Sequence, residues 1–158
     1  MKIVKLIDAV LSIPKTIRVN FSLLPKNQAI HFPILVNWKT KIDGLNGKVT
    51  VDAIKTGMTR IGFGGSFALG GGNETYLKID GDLILRGTCT IGRGTQLIVS
   101  TGSELKIGKD VHINANCLVH TSHKICIDDY CLIGWDTTIM DSDGHTIIRK
   151  EKSNKPSD

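Results

Sequence analysis

Apolar residues recur every six positions through the second half of the chain. Ile79, Leu85, Ile91 and Leu97 form one run, Ile107, Ile113, Val119 and Ile125 a second, and Ile127, Ile133 and Ile139 a third. All eleven slots are aliphatic although Ile, Leu and Val make up only 44 of the 158 residues, so the period reflects architecture rather than composition. Four residues past the slots stand small or β-branched side chains, as at Cys89, Thr95, Val111, Cys117, Cys131 and Thr137, with His123 at the same interior position. Gly or Asp follows several slots, in Ile91-Gly92, Ile107-Gly108, Ile127-Asp128 and Ile133-Gly134, which suits a sharp corner. Six residues then make one short strand and one corner. Three such flats make a coil of ~18 residues, and coils stacked at the ~4.8 Å strand spacing give a prism with the slot residues inside. The predicted fold is all-β, a parallel β-helix. The register restarts imply unequal coils, with 16 residues from Ile91 to Ile107 and 20 from Ile107 to Ile127, and predict an outward bulge at His120 to Lys124.

Upstream the period changes. Ile3, Ile7, Val10 and Leu11 recur at three- and four-residue spacing, predicting an amphipathic helix that ends near Pro14 or Val19. Such a helix packs against the prism end as a collar; its alternative use is to lie on a membrane surface. Proline is absent from Ile34 to Lys155, while glycines at 62, 64, 65 and 70 to 72 mark tight turns. Three segments follow: a helical collar over 1–40, a β-helix over 41–148, and a polar, disordered tail over 149–158.

Composition narrows the class. With 41% hydrophobic and 22% charged residues the chain is one folded domain, and no apolar run reaches the ~18 residues of a membrane-spanning helix. The opening Met-Lys-Ile-Val-Lys is followed by Asp8 and by no cleavage-like small residues, so it predicts a cytoplasmic protein rather than a secreted one. The net charge of +5 is scattered and without interleaved aromatics, which argues against nucleic acid as a partner. The four cysteines form no Cys-x-x-Cys pair and read as buried, reduced thiols rather than metal ligands.

The hexapeptide pattern, read with the run Ile133-Gly134-Trp135-Asp136-Thr137-Thr138-Ile139-Met140-Asp141-Ser142-Asp143-Gly144-His145-Thr146-Ile147, resembles the left-handed β-helix acyltransferases. The nearest branch is the sugar O-acetyltransferases, including galactoside and maltose acetyltransferases and relatives from capsule or lipopolysaccharide biosynthesis. The resemblance covers about Lys41 to Ile148, and it, not the periodicity, implies the left hand of the coil. It implies acetyl-CoA as acyl donor, a sugar or lipid-linked glycan as acceptor, no metal, a homotrimer with each site between two prisms, and a location in the cytoplasm or peripheral at the inner membrane.

By the same resemblance His145, in the slot where a twelfth aliphatic was due, is the general base. An imidazole suits the role because the acceptor hydroxyl must lose its proton as it attacks a thioester. Asp141 or Asp143 orients the ring or, equally, forms a turn beside Gly144. Asn114 corresponds to the asparagine that contacts the acceptor sugar, and Asp143 and Trp135 are further substrate-binding candidates. Trp135 stacks on a sugar or on pantetheine, or covers a subunit interface. Ser122 stands where some members carry a carboxylate. Family members continue for several coils past the histidine loop and line the coenzyme A groove with them, so a second expectation is a non-catalytic β-helix fragment. A third is a zinc lyase resembling the γ-type carbonic anhydrases, with His112, His120, His123 and His145 as the available ligands.

Overall fold

A computed structural model of the chain describes residues 2–64 and 74–145. It is a parallel β-solenoid of about four turns preceded by one long helix and one short one. The first coil is β1 (Ile34–Val36), β2 (Lys41–Gly44) and β3 (Lys48–Val51); the second is β4 (Thr59–Ile61), β5 (Tyr76–Ile79) and β6 (Asp82–Leu85). The third is β7 (Cys89–Ile91), β8 (Gln96–Val99) and β9 (Glu104–Ile107), and the fourth β10 (Val111–Ile113), β11 (Leu118–Thr121) and β12 (Lys124–Ile127). Two short strands, β13 (Leu132–Ile133) and β14 (Thr138–Met140), begin the next turn. Corresponding strands of successive coils pair in parallel and form three flats: β1-β4-β7-β10-β13, β2-β5-β8-β11-β14 and β3-β6-β9-β12. The tail over 149–158, the turns at Gly65 and Gly70 to Gly72, and the end of the β-helix segment over 146–148 lie outside the described residues.

The six-residue slots are the interior. Ile91, Ile113 and Ile133 stand in one column, Leu97, Val119 and Ile139 in a second, and Leu85, Ile107 and Ile127 in a third. Most are wholly buried, each contributing about 1.5–3 kcal/mol relative to an exposed side chain. A strand alternates, so most strands bury two residues two positions apart, and Leu77, Leu83 and Leu105 fill interior positions that a six-residue count passes over, Leu77 in register with Leu97 and Leu105 with Ile125. Ile79 therefore registers with Val99 rather than with Leu97.

Corners, not flats, change length. Fourteen residues separate β4 from β5, against four between β7 and β8. The expected bulge at His120 to Lys124 is not there. Val99 pairs with Thr121 and Glu104 with Lys124, so the corner Ser100 to Ser103 of the third coil is matched by Ser122 and His123 alone in the fourth. The turn is tightened rather than extended, and His123 is exposed instead of interior because it is a corner residue. The glycines after the slots also answer a different demand. Gly92 has an ordinary φ, but a Cβ there would lie 2.7 Å from the Ala115 nitrogen of the next coil. Left-handed backbone falls two residues later, at Gly94, Asn116 and Asp136, residue types that tolerate it.

The helix differs most from expectation. α1 (Lys2–Leu23) runs through Pro14, and β1 already lies within the segment read as a collar. Proline removes one helical hydrogen bond, but residues on both sides of it are tied to the first strand. Ser12 Oγ accepts the Trp38 N–H at 3.1 Å, Thr16 Oγ1 accepts the Val36 N–H at 3.1 Å, and Asn20 brackets Ile34. Four helical residues rise ~6.0 Å and two strand residues ~6.6 Å, so side chains at every fourth helix position meet alternate residues of an antiparallel strand edge. α1 thus caps the open edge of the first flat with hydroxyl and amide groups in place of a further strand. A short helix, α2 (Lys26–Ala29), leads into β1.

Candidate functional site

His145 stands on the segment after β14, at the corner between the second and third flats. The corner is organised by Asp141. One carboxylate oxygen accepts the Ser122 N–H at 2.7 Å, and the other accepts the His123 and Lys124 N–H groups at 2.8 and 2.6 Å. Desolvation pushes the Asp141 pKa up, but hydrogen bonds from these amides and from its own N–H outweigh it, and the net direction is down. Asp141 therefore secures the shortened corner of the fourth coil and has both oxygens engaged there.

Asp143 is the carboxylate beside the imidazole. Its Oδ1 accepts the His145 N–H at 3.0 Å, an Asx turn across Gly144, whose φ of 79° is left-handed. Its Oδ2 lies 3.4 Å from His145 Nδ1. One oxygen of Asp143 forms the turn and the other lies beside the ring. Nδ1 is the ring nitrogen beside the carboxylate, and the His145 side chain is 82% exposed. Ser142 Oγ accepts the Gly144 N–H at 3.2 Å and completes the turn.

Asn114 and Trp135 lie elsewhere, on the corner between the first and second flats. Asn114 follows β10, and its Nδ2 donates to the Ile133 carbonyl at 3.0 Å, which engages one amide hydrogen in joining the fourth coil to the next turn. Trp135 follows β13 and is half exposed; the backbone of its neighbour Asp136 bonds to the Ala115 carbonyl above. The strand β14 separates this corner from His145, so one copy of the chain does not bring Asn114 or Trp135 to the imidazole.

One neighbour of the His145 corner was not singled out from sequence as part of that corner. His120 on β11 pairs in register with Met140, directly before Asp141, and its Nε2 lies 3.2 Å from Ser100 Oγ. The signal was the coil length of the fourth turn, which sets His120 and Met140 side by side. The histidines of the zinc reading do not gather within one chain. His112 faces outward from the first flat, His120 from the second and His123 from a corner, and no three His, Cys, Asp or Glu side chains among the described residues gather to hold an ion.

The cysteine reading holds for Cys89 and Cys117, which are buried; burial pushes the Cys89 thiol up to about 12. Cys131 is partly covered, and Cys126, outside the repeat position, is exposed.

No protein-family model, no curated protein and no solved structure matches this chain.

Proposed function

We propose that the chain is an acyltransferase that moves an acetyl group from acetyl-CoA to a sugar hydroxyl, with His145 as general base. The observation that carries this reading is the His145–Asp143 pair on an exposed corner of a parallel β-solenoid, one carboxylate oxygen at Nδ1 and the other fixing the backbone of the loop. In the step proposed, Nε2 takes the proton of the acceptor hydroxyl as its oxygen bonds to the thioester carbon. The carbon–sulfur bond breaks, and the thiolate leaves and collects the proton. Asp143 favours the tautomer with hydrogen on Nδ1 and steadies the imidazolium that forms.

Acetyl-CoA is a substrate in this scheme. The described residues around His145 supply a base and a carboxylate but no cluster of cations for the coenzyme phosphates. Lys124, whose N–H is bound by Asp141 at that corner, pairs through its ammonium with Glu104 at 2.8 Å. The separation of His145 from Asn114 and Trp135 fits an arrangement in which one prism supplies the base and a neighbouring copy supplies the acceptor contacts, as the resemblance to trimeric O-acetyltransferases implies.

Calorimetric titration with coenzyme A and acetyl-CoA tests the class, followed by an acceptor-sugar screen with His145→Ala as control. Saturable binding and acetyl transfer lost in His145→Ala support the proposal. Absence of binding to the folded chain overturns it in favour of a non-catalytic solenoid.

A further inference from the structure

The net formal charge of the chain falls in its first 40 residues. Residues 1–40 contain six Lys or Arg and one Asp, whereas the rest of the chain contains fourteen of each sign and is neutral. The one acid, Asp8, is engaged: it accepts the Trp38 indole N–H at 2.9 Å. Arg18, Lys26 and Lys39 are exposed.

The same end exposes its apolar helix face. Ser12, Thr16 and Asn20 turn the polar side of α1 toward β1, and the stripe Leu6, Val10, Ile13, Ile17 and Phe21 flanks that contact, each residue between 42% and 65% exposed and Phe21 edge-on to Phe32. Its spacing of four, three, four and four residues makes it one continuous face. Beside it runs a groove of about 380 Å³ between α1 and the outer side of the first flat. Ile13 and Ile17 form one wall, Phe32, Leu35 and Phe63 the other, and the Arg60 guanidinium lies over the Phe63 ring at the rim. The surface is thus apolar in the middle and cationic at its margin.

We propose that this end of the molecule docks on the surface of an anionic phospholipid bilayer, with α1 in the interfacial plane, its apolar stripe at the acyl boundary and the cations among the headgroups. The charge decides between a bilayer and a second copy of the chain, since pairing two such ends would bring like charge together while an anionic surface neutralises it. The helix lies on the surface rather than crossing: no helix among the described residues is long and apolar enough to span a membrane. The edge of β1 stays capped throughout, because the hydrogen bonds of Ser12, Thr16 and Asn20 to Trp38, Val36 and Ile34 do not involve the apolar side chains that would meet lipid. The reading stands independently of the proposed chemistry.

The test is co-sedimentation of the full chain with vesicles of three parts phosphatidylcholine to one part phosphatidylglycerol, against vesicles of phosphatidylcholine alone. The expected result is binding to the anionic vesicles that weakens with salt, is weaker on neutral ones, and falls at least about tenfold in Val10→Glu and in Ile17→Glu. Both sites are exposed, so unchanged circular dichroism and thermal midpoint separate lost docking from lost folding. Arg18→Glu should reduce binding to anionic vesicles more than to neutral ones. Failure to sediment with anionic vesicles overturns the proposal, as does binding that ignores these substitutions. A multimer dispersed by Val10→Glu, with no vesicle binding, would overturn it in favour of a second copy.

Discussion

Asn20 satisfies both backbone groups of Ile34 from the opposite side of the strand edge, its Nδ2 donating to the carbonyl at 2.6 Å and its Oδ1 accepting the N–H at 3.2 Å. The side chain is fully buried and also donates to the Thr16 carbonyl. A primary amide is the natural group for this position, because it presents a donor and an acceptor at the spacing of one residue of a β-ladder. Asn20→Ala should cost about 2–4 kcal/mol, since it orphans a buried N–H and a buried carbonyl together. Asn20→Asp should cost at least as much at neutral pH, keeping the acceptor but losing the donor and burying a charge. Urea unfolding of the two variants measures both; an Asn20→Ala midpoint equal to the parent would refute the edge-capping role.

Asp141 makes the fourth coil sensitive to acid. Its folded pKa is depressed, so its contribution is fully present above the unfolded carboxylate value and is lost as pH falls through the folded one. Asp141→Ala should destabilise by about 1–3 kcal/mol at neutral pH by leaving the Ser122, His123 and Lys124 amides without their acceptor. The difference between parent and variant should shrink on acidification. Denaturation curves at neutral and acidic pH check the sign, and a gap that widens toward low pH would contradict the assignment.

His145 and Asp143 should separate by readout. Both are largely exposed and leave no buried partner behind, so His145→Ala should shift stability by no more than about 0.5 kcal/mol. If the proposed chemistry holds, the same variant should lower kcat about 10²–10⁴-fold. Asp143→Asn should lose less, because it retains an acceptor for the His145 N–H while weakening support for the imidazolium. Steady-state kinetics beside thermal melts distinguish this pattern from a structural loop, in which both variants would change stability and neither would alter the pH profile.

Much of the fold was legible because a solenoid repeats its constraints. Ile91, Ile113 and Ile133 obey one rule at three successive coils, and a repeated rule survives the noise that defeats a single strand. What was hidden depends on relations between coils. Nothing local in His123 distinguishes an interior position from a corner, since that follows from the fourth coil losing residues between Thr121 and Lys124. The direction of α1 was hidden for a related reason. Its apolar periodicity suggested a face for the solenoid, yet an open sheet edge needs hydrogen-bonding groups, and Ser12, Thr16 and Asn20 meet that need better than leucines would. At the site, Asp143 and His145 are neighbours along the chain and were found together. Asn114 was drawn into the same group by resemblance and Trp135 by the stacking chemistry of its side chain, while the coil geometry sets both on another corner.

The cysteines give a direct check on interior and exterior. Cys126 should react rapidly with a thiol reagent in the native state, whereas Cys89, buried and with its thiolate disfavoured, should react only on unfolding. Mass spectrometry after brief alkylation reads the order. Modification of Cys89 at the rate of Cys126 would mean that the solenoid opens far more readily than its packing implies.

Gly92 and Gly134 hold the same corner position two coils apart, with Asn114 between them, each directly after the slot residue that ends its strand, yet they should respond oppositely to a methyl group. A Cβ on Gly92 would sit 2.7 Å from the Ala115 nitrogen and from the Asn114 carbonyl carbon, backbone atoms of a coil that cannot retreat without breaking its ladder. A Cβ on Gly134 would meet nothing nearer than Thr137 Oγ1 at 4.0 Å, because no further described coil covers it. Gly92→Ala should therefore cost about 1–3 kcal/mol or more through forced separation of the coils. Gly134→Ala should be near neutral in the chain as it stands, stiffening the unfolded backbone at no steric cost. Thermal unfolding of the pair under one set of conditions checks the contrast. Equal destabilisation would mean that Gly134 is covered in solution, by a neighbouring copy or by the segment after His145, and so would locate the contact that closes this end of the solenoid.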